Sequence, residues 1–236
     1  MALTRTRKPS DLGSTLGEFA FFKGLRKSEL DALAGMALCH EYPKNNILSY
    51  RGDPSGSVFL VVSGRVKMIL TNDEGREVIV RLVGPGGLFG ISSALDGGEQ
   101  LCNAVTIERS TVAKFKGAAF LGWANESPGA RLSLQRELSR QVRDLCHKIG
   151  EHALMSARDR LLYTLLEIAD TEGEEDPDGV RVSFTRPTHQ ELANRIGSSR
   201  EVVTRLLAEL RDSELLESEE GRVIYVPMSA LVLRGE

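Results

Sequence analysis

The sequence predicts an α+β protein: an N-terminal antiparallel β-roll, then a long helix, then a C-terminal winged helix-turn-helix. Three observations carry that prediction. Short apolar runs between Cys39 and Val112 are punctuated by glycine, and a helical stripe runs from Leu134 to Ile149. Two helix-start signals, Thr188 with Glu191 and Ser198 with Glu201, stand ten residues apart with Gly197 between them.

Taken in order, residues 1–14 lack periodicity and are expected to form a flexible arm. A sensor-like domain is expected over 15–126. It opens with a short helix from Ser28 to Leu38 that turns Leu30, Leu33, Ala34 and Leu38 inward. Beyond Cys39 come the strands Val58–Val62, Arg65–Leu70 and Glu77–Leu82, in the last of which Val78, Val80 and Leu82 alternate with Glu77, Ile79 and Arg81. Many short strands with turn glycines make an antiparallel roll, and Asn72-Asp-Glu-Gly75 is a hairpin turn between two of them.

Over 127–152 the apolar residues Leu134, Leu138, Val142, Leu145 and Ile149 recur at steps of four, four, three and four. Such a helix packs either on its own β-roll or along a second copy of itself. Arg136, Arg140 and Arg143 narrow the stripe to a seam, which favours the second copy and makes these five residues the expected dimer interface.

Residues 153–236 are expected to form the winged helix-turn-helix. Leu161, Leu162, Leu165, Ile168 and Ala169 make one amphipathic helix, and the acidic stretch Glu172–Asp178 is a solvated loop. In the motif itself, each S/T-x-x-E pair is a capping box and Gly197 supplies the positive φ of the turn. On the second helix Val203, Leu206, Leu207 and Leu210 share one face, which leaves Glu201, Thr204, Arg205 and Ala208 opposite and Arg200 at the edge. Arginine can bond guanine O6 and N7 together, and glutamate can accept from cytosine N4, so this face is suited to base edges. Its alternative is an ordinary solvated helix on which Glu201 caps Ser198. Ser198 and Ser199, at the helix start, are candidate phosphate contacts together with Thr188 and Arg186. The strands Val180–Phe184 and Leu216–Val226 flank the motif, the latter turning at Glu220-Gly221; Glu217, Glu219 and Glu220 keep the wing from being basic.

Composition narrows the function classes. A chain of 236 residues, 41% apolar with net charge −3, can build real cores but does not coat nucleic acid indiscriminately, so phosphate affinity must be local. There is no apolar run long enough for a membrane span, and Arg5, Arg7 and Lys8 are not followed by an apolar leader segment. A cytoplasmic location is expected, and three cysteines without CxxC spacing fit reduced thiols. No Ser-His-Asp set, phosphate loop, HExxH or paired-carboxylate motif is present, so no catalytic residues are expected. Neither a metal nor a cofactor is expected, because adjacent Cys39 and His40 point to opposite faces of a strand and three thiols fall short of an iron-sulfur ligand set.

In element order, and in Ser198-Ser-Arg-Glu-Val-Val-Thr-Arg205, the chain resembles the cAMP receptor protein and fumarate-nitrate regulator family of bacterial transcription factors. The Arg51-Gly52-Asp53 turn, the Val62-Ser-Gly-Arg-Val66 segment and Pro85-Gly-Gly-Leu-Phe-Gly90 are similar to that family's cyclic-nucleotide-type sensor fold. The resemblance implies a homodimer on a palindromic TGTGA-like site, contacted through Arg200, Glu201 and Arg205, with RNA polymerase as a further partner. It also implies an effector pocket around Gly90, Ile91, Ser92, Leu101, Cys102, Leu145 and Cys146. Relatives that bind cAMP carry a ribose-binding glutamate where Ile91 stands and a phosphate-binding arginine where Leu101 stands, so cAMP binding is not expected. An unknown effector, such as a cyclic dinucleotide, or no effector at all, remains compatible with the pattern. The alternative function is an effector-binding module whose winged helix docks protein instead of specific DNA.

Overall fold

The computed structural model describes residues 9–54, 56–175, 181–213, 215–219 and 223–227. Two compact units are present, one formed by the chain up to Leu70 together with Val80–Cys146, the other by Thr71–Ile79 and the chain from His147 onward. No described helix is long and apolar enough to cross a membrane.

The first unit begins with helices α1 (Pro9–Leu16) and α2 (Lys27–Gly35). Helix α1 corrects the expected arm over 9–14. Leu12 and Leu16, one helical turn apart, are fully buried in the core that also holds Leu30, Leu33 and Ala34 of α2. Burial of such side chains is worth roughly 1.5–3 kcal/mol each, enough to hold a short helix with no capping signal. Helix α2 is tied on by Trp123, whose indole N–H donates to the Glu29 carbonyl at 2.8 Å.

The roll itself comprises β1 (Leu38–Tyr42), β2 (Ile47–Ser49), β3 (Ser57–Ser63), β4 (Val66–Thr71), β5 (Glu77–Val83), β6 (Leu88–Phe89), β7 (Asn103–Thr106) and β8 (Ser110–Lys116). They form two four-stranded sheets, in the orders β1-β8-β3-β6 and β2-β7-β4-β5. Central β3 runs antiparallel to β8 with Val58 opposite Phe115 and Leu60 opposite Ala113. One core of the roll gathers Phe59, Val61, Val66, Met68, Val83, Phe89, Ala104 and Val112, with the Phe59 and Phe89 rings stacked 4.7 Å apart. Side chains of the other parity on β3, Val58, Leu60 and Val62, face the core under the helices, so β3 is apolar on both sides. The Asn72–Gly75 hairpin forms as expected: Gly75 has φ 78°, and the Asn72 carboxamide oxygen accepts from the Arg76 N–H at 2.8 Å. Strand β5 departs from its apparent alternation. Ile79 and Val83 are buried whereas Leu82 is exposed, because the face of β5 that turns inward is set by what covers it rather than by its own pattern.

Helices α3 (Ile91–Asp96) and α4 (Gly117–Glu126) were not visible in the sequence pattern. Helix α3 is a short insert bounded by Gly90 and Gly97, both left-handed, and α4 places Phe120 and Trp123 in the helix-side core.

Helix α5 (Pro128–Leu154) is 27 residues long, about 40 Å. Proline at its first position lacks only an N–H that has no helical partner, and the Ser127 hydroxyl accepts from the Ala130 N–H at 3.1 Å. Its stripe divides, which corrects the expected interface. Leu134 is buried in the helix-side core and Leu138 packs against it, whereas Val142 and Ile149 are 60% and 66% exposed and Leu145 is half exposed. A narrow stripe on so long a helix can serve two partners in succession, and its first two turns are taken by the β-roll of the same chain.

The second unit holds α6 (Ala157–Glu172), β9 (Glu174–Glu175), β10 (Arg181–Thr185), α7 (His189–Ile196), α8 (Arg200–Asp212), β11 (Glu217–Glu219) and β12 (Val223–Pro227). The four strands pair in the order β11-β12-β10-β9, with Phe184 opposite Ile224. Glu174 and Glu175 thus join the sheet instead of lying in a loop, since backbone pairing with Val182 and Ser183 leaves their carboxylates exposed. The expected turn at Glu220-Gly221 lies outside the described residues.

Candidate functional site

The helix-turn-helix is built on local signals. Thr188 caps α7: its hydroxyl accepts from the Glu191 N–H at 3.2 Å, and the Glu191 carboxylate accepts from the Thr188 N–H at 2.8 Å. At the other end Gly197 has φ 63°, and both its N–H and that of Ser198 donate to the Ala193 carbonyl. Space as well as dihedral requires glycine there, because a Cβ would stand 2.5 Å from His152 Cε1. The turn is further held by Arg160 of α6, whose guanidinium donates to the Ile196 carbonyl at 2.9 Å and to the Met155 carbonyl at 2.7 Å.

The second cap differs from expectation. Helix α8 is capped by Ser199, whose hydroxyl accepts from the Val202 N–H at 3.3 Å, so the Ser198–Glu201 box does not form. The Gly197 turn uses the Ser198 N–H and moves the helix start on by one residue. Glu201 is thereby left outside a capping box, exposed, its carboxyl held below the usual carboxylate range by its own backbone N–H, then by the Ser199 hydroxyl and the Arg200 charge.

Burial orients α8. Val203, Leu206, Leu207 and Leu210 join Leu161, Leu165 and Ile168 of α6 and Leu192, Ala193 and Ile196 of α7 in one core. Opposite them Arg200, Glu201, Thr204 and Arg205 are exposed on the first turns, while Ala208 is half-buried. The Arg205–Glu209 pair, 3.7 Å apart and exposed, holds the guanidinium weakly and leaves it free to exchange partners. Ser199 and Thr188 are exposed, whereas Ser198 and Arg186 are half-buried.

Two histidines with no motif of their own are drawn into this site. His189 Nδ1 is hydrogen-bonded to the Thr204 hydroxyl oxygen at 2.7 Å, and that hydroxyl lies 2.9 Å from the Arg200 carbonyl. That bond ties the start of α7 to the exposed face of α8. Burial lowers the His189 pKa, and the charges of Arg186, Arg200 and Arg211 lower it further. His152 is lowered by burial and then by Lys148 and Arg160, and its Nε2 is buried without a partner among the described residues. Neither contact could be read from the chain, since residues 15 and 45 positions apart share no helical or strand period.

In the first unit, Gly90, Ile91, Ser92, Leu101, Cys102 and Leu145 line a single cavity of about 140 Å³. Met68, Val80, Arg81, Phe89, Gln100, Gln141 and Asp144 complete its wall. Cys146, expected there, is exposed and off the wall, since helical rotation from Leu145 turns it away. Burial pushes the Cys102 thiol up, with Arg51 opposing, so it presents a neutral sulfur. Among the described residues no cluster of three His, Cys, Asp or Glu side chains is placed to hold a metal ion.

The comparisons with known proteins agree with this architecture. Residues 39–127 match the cyclic nucleotide-binding domain family, and residues 159–232 match the Crp-like helix-turn-helix domain. The cyclic AMP receptor protein of Thermus thermophilus is 30% identical over 202 residues, covering 86% of this chain and 90% of its own. A CRP-like cAMP-activated global transcriptional regulator of Mycobacterium tuberculosis is 26% identical over 220 residues, 93% of this chain and 98% of its own. Among solved structures, a CRP-family transcriptional regulator from Thermus thermophilus superimposes with TM-score 0.68 at 25% identity, covering 83% of this chain and 96% of that one. The c-di-GMP responsive global regulator of Xanthomonas campestris superimposes with TM-score 0.73 over 85% of this chain and 99% of its own; at 21% identity that likeness is one of fold. The β-roll, long helix and helix-turn-helix, with relatives matched over most of their length, place the chain in the cAMP receptor protein and fumarate-nitrate regulator family, as a transcription regulator with a helix-turn-helix DNA-binding domain.

Proposed function

We propose that the protein is a homodimeric regulator that reads a palindromic TGTGA-like operator without cAMP. The observation that carries this reading is the exposed N-terminal face of α8, where Arg200, Glu201 and Arg205 stand clear of the leucine core. On such a face the guanidinium of Arg200 or Arg205 pairs with guanine O6 and N7, the Glu201 carboxylate accepts from cytosine N4, and Thr204 is positioned by His189 beside them. The Ser199 backbone N–H and the hydroxyls of Ser198 and Ser199 at the helix start, with Thr188 and Arg186 nearby in sequence, serve the flanking phosphates. Two copies joined along Val142, Leu145 and Ile149 present two such helices to successive major grooves. Contacts of the bound dimer with RNA polymerase then make its effect depend on where the operator lies.

The cavity is unsuited to cAMP on this reading. The side chains of Ile91 and Leu101 offer no hydrogen bond to a ribose hydroxyl or a cyclic phosphate, and a phosphate desolvated without a cation loses on the order of a few kcal/mol. Selection from random duplexes with the full-length protein tests the whole reading. A two-fold symmetric TGTGA-like sequence should be enriched without cAMP, and Glu201→Ala should relax choice at one base pair by about 1–3 kcal/mol while sparing affinity for random DNA. Equal losses on operator and random DNA, or enrichment only when cAMP is added, would sink it.

A further inference from the structure

The volume and wall of the cavity in the first unit specify a ligand class. At about 140 Å³ it matches the engineered apolar cavities of about 150 Å³ that take benzene, and is well below the roughly 300 Å³ at which sites for larger ligands begin. A single six-membered ring fills it, and Leu101 and Leu145, both exposed, mark its open side. Met68, Val80, Phe89, Ile91, Leu101 and Leu145 give it apolar sides.

Charge is arranged against an anion. Arg81 is the one cation on the wall among the described residues, and it is already engaged: its guanidinium donates to the Leu88 carbonyl at 2.9 Å and pairs with Glu137 at 3.1 Å, both side chains being largely buried. Glu137 also accepts from Arg140 and from the Gln141 carboxamide, so releasing Arg81 would disrupt a connected set of bonds. Asp144, on the same wall, is anionic and paired with Arg140 at 3.0 Å. On this wall a phosphate or carboxylate meets Asp144 and, among the described residues, no unengaged cation; Arg51, whose charge reaches Cys102, lies off the wall.

Of the wall's polar side chains left without a hydrogen bond among the described residues, Gln100 is the more deeply buried and Ser92 the less. Gln100 lines the cavity and is only 5% exposed, yet among the described residues only its backbone N–H and carbonyl are hydrogen-bonded, to Asp53 and Gly52. Its carboxamide therefore faces the cavity with hydrogen-bonding capacity that a hydroxyl on a ligand can use in place of water.

We propose that this cavity binds an uncharged, single-ring aromatic compound bearing a hydroxyl group, held by the apolar wall and by the side-chain amide of Gln100. This rests on the reading above that the cavity refuses a phosphate, and on nothing about the operator. Titration calorimetry of the full-length protein with phenol, benzene, benzoate and cAMP, with the Met68 methyl resonance as a local reporter, tests it. Phenol should saturate the protein and shift the Met68 signal, binding about tenfold more tightly than benzene or benzoate, and cAMP should give no binding. Gln100→Leu should erase the preference for phenol over benzene. Val80→Phe, which fills the cavity, should weaken phenol by at least about tenfold while the thermal transition followed at Trp123 is retained. If Val80→Phe fails to fold, the Gln100→Leu comparison decides alone. Phenol binding that leaves Met68 unmoved, a Gln100→Leu protein that still prefers phenol, or no saturation by phenol would each overturn this ligand class and leave the DNA reading intact. Tight cAMP binding would overturn both the ligand class and the cAMP-independent part of that reading.

Discussion

Gly197 carries two constraints at one position. Its φ of 63° disfavours any side chain, and His152 occupies the space a Cβ would need. Gly197→Ala should therefore destabilise the second unit by more than about 1 kcal/mol, measured by urea denaturation. In a double-mutant cycle with His152→Ala the steric part should disappear and the dihedral part persist. The glycine was legible in the sequence because a turn between two caps needs one; the imidazole against it was not, since His152 lies on a different helix. The same two histidines predict a pH dependence. Both have folded pKa values below the ordinary 6.5, so the unfolded chain takes up protons more readily than the native one. Their contribution is complete above pH 6.5 and is lost as pH falls through the lowered native values. The urea midpoint should decline over that interval, and His189→Gln should flatten the decline. An unchanged slope in that variant would remove His189 from the account.

Among elements, α5 shows how one stripe can mean two things. Leu134 and Val142 stand in the same sequence pattern, yet one is buried against its own roll and the other is 60% exposed. Leu134→Ala should cost about 2–5 kcal/mol of stability at any protein concentration. Val142→Asp with Ile149→Asp should leave each chain folded and abolish the dimer in sedimentation experiments, and with it cooperative binding to a full palindrome. A dimer that survives both charges would place the interface elsewhere. Helix α7 gives a simpler case, because its capping box is entirely local: Thr188→Ala should lose about 1 kcal/mol. The corresponding box on α8 was legible but wrong by one residue. Ser198 and Ser199 are equally good caps in the sequence, and the Gly197 turn decided between them.

For the whole molecule, a net charge of −3 requires that attraction to DNA be concentrated on one face. The logarithm of operator affinity should fall linearly with the logarithm of salt concentration, and Arg186→Ala should weaken all sequences alike and reduce that slope by about one, as read from filter-binding isotherms. Loss of specificity without a change of slope would instead make Arg186 a base contact. Caps, turn glycines and apolar periods involve residues within about four positions of one another, and for that reason the glycine-punctuated roll, the long helix and the order of the helix-turn-helix could all be read from the chain alone. Burial of Leu12 and Leu16, the inward face of β5, the division of the α5 stripe, the Arg81–Glu137 pair beside the cavity and the His189–Thr204 bond could not. Each joins residues distant in sequence, and which surfaces meet is settled by the packing of whole elements, where a buried methylene or an unpaired polar atom costs more than any local preference supplies.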